Sequence, residues 1–272
     1  MRGDVIGVDI GGTNMRFGLV KNNKIIDFVK MPTPKIREEI LNVLTENITA
    51  LMSKKVKGIG IASPGPLING VIKNSPNLPF DDFDLKGFLK KKFKIRVEVE
   101  NDANCAALAE AKLGVKKKNF FVLTIGTGVG GGVIINRKLY DERGPGAELG
   151  HIYLTHEQSF EDLVGVKSIH DRTRKVFGKE LNISQLVELN NSKSNSILNE
   201  IAGWCGQGIG SLINVFNPEI VVLAGGARHG GEVFLNMIRE NAQKYIILPG
   251  KFDIVWTKLE HPGTLGASLL ID

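Results

Sequence analysis

The chain has 272 residues, 42% of them hydrophobic and 24% charged, with a formal net charge of +6. That balance is globular and excludes disordered, collagen-like and low-complexity classes, and at this length one or two domains are expected, since single cores stop growing near ~250–300 residues. Two isolated cysteines, Cys105 and Cys205, exclude a disulfide-dense secreted scaffold; with no signal-peptide pattern and no run of ~18 apolar residues, a cytoplasmic protein without membrane insertion is expected.

Much of the positive surplus lies in Lys54-Lys55, Lys90-Lys91-Lys92 and Lys116-Lys117-Lys118. Each cluster follows a helical pattern, where cations complement the negative end of the helix dipole. No aromatic residues interleave them as a nucleic-acid stacking surface requires, so a small anionic ligand is expected instead of nucleic acid.

In chain order, Val5 to Ile10, Met15 to Val20 and Lys24 to Lys30 alternate as strands, with Asn22-Asn23 placed to turn a hairpin. From Ile36 the period becomes helical, with Ile36, Ile40, Val43, Leu44, Ile48 and Leu51 on one face. A strand at Lys57 to Ala62 runs into Ser63-Pro64-Gly65-Pro66, whose prolines end the ladder. A helix capped by Asp84 comes next, then a strand at Ile95 to Val99 and a helix at Ala103 to Leu113 closed by Gly114. The second half repeats this grammar: a strand at Asn119 to Ile125, a glycine-rich turn at Gly126 to Gly132 and a returning strand at Val133 to Asn136. One or two helices lie between Phe160 and Asn195, with a polar linker at Asn190 to Ser196. A long helix from Ser196 to Phe216, a strand at Glu219 to Ala224 ended by Gly225-Gly226, a helix at Glu232 to Tyr245, a strand at Phe252 to Trp256 and a helical tail at Gly263 to Leu270 complete the chain.

The informative repeat is a pair of turns, Asp9-Ile10-Gly11-Gly12-Thr13-Asn14 and Ile125-Gly126-Thr127-Gly128-Val129-Gly130-Gly131-Gly132. Glycine permits positive φ and lets a ligand approach the amides, and successive amides bind anions, so two such turns suit a polyphosphate. Neither is a Walker loop, and neither leads into a helix as a dinucleotide fingerprint would. Phosphoryl transfer then needs a carboxylate to take the proton of the attacking hydroxyl. Asp102, where a strand ends and a small-residue helix begins, is the candidate; capping that helix is its competing role.

These two turns, together with Ser63-Pro64-Gly65-Pro66, Pro76-Asn77-Leu78, Glu100-Asn101-Asp102-Ala103-Asn104 and Gly146-Ala147-Glu148-Leu149-Gly150-His151, stand in the order of the ROK family of sugar kinases. The chain resembles that family over nearly its whole length. The resemblance implies the α/β, actin-like (ribonuclease-H-like) ATPase fold. Residues 1–115 would form an N-terminal lobe, 116–262 a C-terminal lobe and 263–272 a helix returning to the first, with the active site in the cleft between lobes. It further implies Asp102 as general base and Gly65, Asn77, Asn101, Glu148 and His151 around the sugar. Gly11, Gly12, Thr13, Asn14, Gly126, Thr127, Gly128, Gly225 and Gly226 would hold ATP. Asp9 would organise Mg²⁺ through water, as a reluctantly dehydrated ion prefers.

One departure from the family concerns the stretch after Gly150-His151, where most members carry a cysteine-rich zinc motif. Here Ile152 to Glu161 is shorter and contains no cysteine, so no family-type zinc site is expected. Phe160-Glu161-Asp162-Leu163-Val164-Gly165 resembles the family segment just after the last cysteine of that motif, which makes Glu161 the last sugar ligand, with Asp162 the neighbouring alternative. The reaction implied is ATP-dependent phosphorylation of a hexose at its 6-hydroxyl, glucose being the first candidate. Fructose, mannose, N-acetylmannosamine and N-acetylglucosamine stay open, as does the non-catalytic, sugar-sensing role of the family's repressors. Those carry a DNA-reading segment before the first turn, for which Asp9 leaves little room. A homodimer is a further expectation from the family.

Overall fold

The computed structural model describes residues 3–73, 75, 78–140 and 147–271. It opens on an antiparallel meander of β1 (Asp4–Ile10), β2 (Asn14–Lys21) and β3 (Lys24–Pro32). Asn22 and Asn23 turn the second hairpin with φ of 48° and 62°, the left-handed pair that matches the twist of the flanking strands. The crossover helix α1 (Arg37–Leu51) then brings β4 (Val56–Ser63) parallel to β1. Ile40, Leu44, Ile48 and Leu51 of α1 are buried among Ile6, Val8, Ile10, Phe17, Ile59 and Ile61, each fully buried aliphatic side chain contributing about 1.5–3 kcal/mol. Ile36, expected on this face, precedes the helix at its N-cap and is 54% exposed.

Three short strands come next, β5 (Leu67–Ile68), β6 (Val71–Ile72) and β7 (Phe83–Asp84), and form a small sheet of their own. Asp84 caps α2 (Leu85–Phe93) as expected, its carboxylate accepting the Gly87 amide at 2.7 Å. Beyond it lie β8 (Arg96–Asn101), parallel to β4, and α3 (Asp102–Lys112). The second half contains β9 (Phe120–Ile125), β10 (Val129–Ile135) and β11 (Lys138–Leu139), then α4 (Phe160–Val164), α5 (Val166–Phe177) and α6 (Ile183–Leu189). The chain ends with α7 (Ser192–Phe216), β12 (Ile220–Ala224), α8 (Gly231–Gln243), β13 (Ile254–Trp256) and α9 (Pro262–Leu269).

The two large sheets have orders β3-β2-β1-β4-β8 and β11-β10-β9-β12-β13. Both place their strands third, second, first, fourth, fifth, so the repeat seen in the turns extends to the topology. Two corrections concern local structure. The polar run at 190–196 is not a linker: Asn191 closes a capping box with Ser194, and α7 begins at Ser192. The glycines at 130–132 are not turn but strand, since β10 resumes at Val129.

The described residues form two compact units, one of Met1–Lys116, Gly132–Ala147 and Lys258–Asp272, the other of Lys117–Gly131 and Glu148–Thr257. In the first, α9 packs on β1, β4 and α3. Strand alternation explains how: Ile59 and Ile61 join the α1 core, while Gly58 and Gly60 face the other way. A Cβ at Gly60 would lie 1.8 Å from the Ala267 carbonyl oxygen, and one at Gly7 would lie 2.3 Å from that of Thr264, so α9 rests directly on the strand backbones. Among the described residues no helix is long and apolar enough to cross a membrane.

Candidate functional site

Asp9 ends β1 and faces Arg16 of β2 in register, the Arg16 Nη1 lying 3.1 Å from its Oδ2. Burial raises the pKa of Asp9, and the Arg16 guanidinium, with His261 more weakly, pulls it back. The following turn is closed by the Gly11 amide donating to the Asn14 carbonyl at 3.0 Å. The buried Thr33 fixes it from β3's end, its hydroxyl donating to the Gly11 carbonyl at 2.6 Å and its amide to that of Thr13 at 2.9 Å. A single carboxylate paired with Arg16 at the end of this strand suits a Mg²⁺ held mainly by phosphate and water. Among the described residues no three His, Cys, Asp or Glu side chains group to hold a metal ion.

At the same carboxyl edge of this sheet, two strands along, β8 delivers Asn101 and Asp102 to the start of α3. Asn101, not Asp102, is the N-cap: its Oδ1 accepts the Ala103 and Asn104 amides at 2.9 and 3.2 Å. Asp102 is the first helical residue and accepts the Ala103 amide at 2.8 Å. An acid there is favoured by the positive end of the helix dipole. Because the cap consumes the Asn101 oxygen, the group it has left for a ligand is Nδ2, 3.5 Å from the Gly65 carbonyl. Gly65 has φ of 92°, a conformation that requires glycine within the rigid proline loop. Glu100 accepts from the Asn101 amide at 2.7 Å and the Asn104 side chain at 3.0 Å, bracing the same corner. Burial raises the Cys105 thiol well above its ordinary pKa, and the charges of Glu100, Asp102 and Asp9 add to the rise. Asn77 lies outside the described residues.

In the second unit, the turn Gly126–Gly128 ends β9, and Gly225-Gly226 ends the adjacent parallel strand β12. This is the carboxyl edge of the parallel strands, where α/β sheets bind ligands. Gly225 has φ of 87°, and a Cβ there would meet the Ile125 carbonyl oxygen at 2.4 Å. Gly11, Gly126 and Gly128, by contrast, do not adopt positive φ, which corrects the reason for glycine at these places. What Gly128 supplies is room: a Cβ would fall 2.1 Å from Glu161 Oε2.

Glu148, His151 and Glu161 are electrostatically coupled: partial burial raises the pKa of Glu148, His151 lowers it and Glu161 raises it again. Glu161 Oε2 accepts the Val129 amide at 2.8 Å. Asp162 is occupied otherwise, forming a capping box in which the Ser159 amide and hydroxyl donate to its Oδ2 at 2.9 and 2.7 Å. The cysteine-free segment is a small hairpin in which Phe160 N donates to the Ile152 carbonyl at 2.8 Å. Gln207 of α7 pins it by donating to the Leu154 carbonyl at 3.1 Å. Sequence reasoning passed over Arg16, Glu100 and Asn104. For Arg16 a signal existed, since hairpin register sets it opposite Asp9.

A family model described as the ROK family matches residues 5–272. The chain belongs to the ROK family. A glucokinase of Thermotoga maritima is 29% identical, over 98% of this chain and 96% of its own. A solved ROK glucokinase from Streptomyces griseus, in complex with glucose and AMPPNP, superposes with a TM-score of 0.90 at 26% identity, covering 98% of this chain and 99% of that one. A xylose repressor of Bacillus spizizenii is 28% identical over 98% of this chain and 76% of its own. The α/β, actin-like fold and the family membership expected from the motifs therefore hold.

Proposed function

We propose that this ROK protein is a sugar kinase that transfers the γ-phosphoryl group of ATP to the 6-hydroxyl of a hexose, glucose first among the candidates. The observation that carries this reading is the division of labour at α3. Asn101 does the capping, so Asp102 is not needed as the cap, and its carboxylate stands in the first turn of a helix at a strand end. There it serves as general base for the attacking hydroxyl. Glu148, His151 and Glu161 accept or donate hydrogen bonds to ring hydroxyls, which a pocket of charged groups discriminates strongly against analogues lacking one. Of the two neighbouring acids, Glu161 takes the sugar role, because Asp162 is held by Ser159.

The turns at Gly11 to Asn14 and at Gly126 to Gly128, with Gly225-Gly226, offer backbone amides to the phosphates. When bound, Mg²⁺ would neutralise phosphate charge, and Asp9, paired with Arg16, would hold its water shell. The glucokinases among the relatives favour catalysis, whereas the xylose repressor keeps a sensing role in view. ADP release coupled to an optical readout, over a panel of hexoses and phosphoryl donors, separates them. Hexose-dependent ADP formation is expected, and Asp102→Asn should lower kcat about 10²- to 10⁴-fold while sugar still binds. Hexose binding without ADP formation would identify a sensor, and ADP release indifferent to hexose would identify a plain ATPase.

A further inference from the structure

Glu161 stands against the same turn that the nucleotide reading requires. Its Oε2 accepts the Val129 amide at 2.8 Å, and the same oxygen lies where a Gly128 side chain would be, 2.1 Å from its Cβ position. From the other end of α4, the Val166 amide donates to the Gly126 carbonyl at 3.1 Å, and a Cβ at Gly165 would fall 3.1 Å from the Thr127 carbonyl oxygen. The Gly165 amide in turn donates to the Glu161 carbonyl at 2.8 Å. The turn, Glu161 and the junction of α4 and α5 thus form a closed circuit of contacts with no slack at Gly128. Glu161 also lies near enough to Glu148, another candidate for a sugar hydroxyl, for its charge to raise the Glu148 pKa.

We propose that Glu161 couples the sugar subsite to the phosphate turn Gly126–Gly128, so that hexose and nucleotide each tighten the other's binding. The proposal rests on the sugar and nucleotide roles assigned above. A carboxylate fixed by a sugar hydroxyl holds the Val129 amide and thereby the turn; a turn fixed by phosphate holds the carboxylate in place for sugar. Whichever ligand arrives first orders the shared circuit, and the second no longer bears that cost. Binding linkage makes the effect reciprocal, and couplings of this kind amount to about 5- to 150-fold.

Two glycines, one in the turn and one outside it, supply the test. At Gly128 an added methyl group drives into the Glu161 carboxylate, whereas at Gly203 of α7, which has no part in either site, nothing lies within 4 Å of a Cβ. Glucose affinity is measured by calorimetry without nucleotide and with AMPPNP. In the wild-type chain AMPPNP should tighten glucose by about 5-fold or more. Gly128→Ala should weaken glucose by a similar factor with no nucleotide present, while Gly203→Ala leaves it unchanged. Equal glucose affinity in Gly128→Ala and the wild-type chain, or equal weakening by both substitutions, would overturn the proposal. Should Gly128→Ala fail to fold, Glu161→Ala decides it through AMPPNP affinity without sugar: a loss supports the coupling and an unchanged value overturns it. A wild-type chain that binds no hexose at all would sink the sugar reading, and the AMPPNP measurement on Glu161→Ala would still decide whether Glu161 holds the turn.

Discussion

Replacing Asn101 separates folding from sugar recognition, because its two side-chain ends have different work. Oδ1 caps α3 by accepting two amides, at 2.9 and 3.2 Å, and Nδ2 is the end left for a ligand. Asn101→Ala removes both. Loss of an N-cap costs about 1 kcal/mol, which for a chain of this length lowers the melting midpoint by roughly 2–4 °C. Loss of one neutral hydrogen bond of about 0.5–1.5 kcal/mol weakens the sugar about 2- to 12-fold. Asn101→Ser keeps a capping oxygen but has no amide, so it should melt within a degree or so of wild type and still show the full loss of sugar affinity. Thermal unfolding followed by circular dichroism and calorimetric titration with hexose read the two effects. A serine variant that melts as low as the alanine variant, or that binds sugar like wild type, would refute the division of roles.

Three other outcomes are expected. Gly60→Ala forces a methyl group against the Ala267 carbonyl, 1.8 Å from its Cβ position, and should lower stability by about 1–3 kcal/mol in urea titrations; an unchanged midpoint would show that α9 can lift. Neither thiol should react with Ellman's reagent in the native state, since both are buried, Cys205 being pushed up to about 12, and both should react once the chain is unfolded. Glu148 has a pKa raised above its ordinary 4.5, chiefly by burial. It therefore takes up its proton at a higher pH than a free glutamate, and sugar affinity should fall on acidification while the pH is still above 4.5. Glu148→Gln should flatten that dependence; a variant with the same pH profile as wild type would assign the titration elsewhere.

The sequence made legible those features whose cause is local. Asn22-Asn23 tolerates left-handed backbone, and the hairpin forms there. Asp84 precedes a helical period, and it caps α2. Misreadings arose where two local signals compete. Asn101 and Asp102 are both good caps, and the residue ending the pairing of β8 with β4 decides between them. The polar stretch at 190–196 looks like a linker because its Asn and Ser residues suit turns, yet the same residues close a capping box once Ile197 and Leu198 are buried. The glycines from 126 to 132 looked uniform. Tertiary neighbours distinguish them: Gly128 leaves space for Glu161, and Gly131 for Leu149. The small sheet of β5, β6 and β7 has strands of two residues each, too short for any periodicity to show.

The seating of α9 has a consequence for how the chain is made. The glycine face of β1 and β4 is completed by residues 262–269, which leave the ribosome about 150 residues after α3 ends at Lys112. At ~5–20 residues per second the first unit waits roughly 8–30 s for its last helix. Through that interval the glycine face of β1 and β4 lacks the helix that covers it, so the first unit reaches its final packing only when translation is nearly complete.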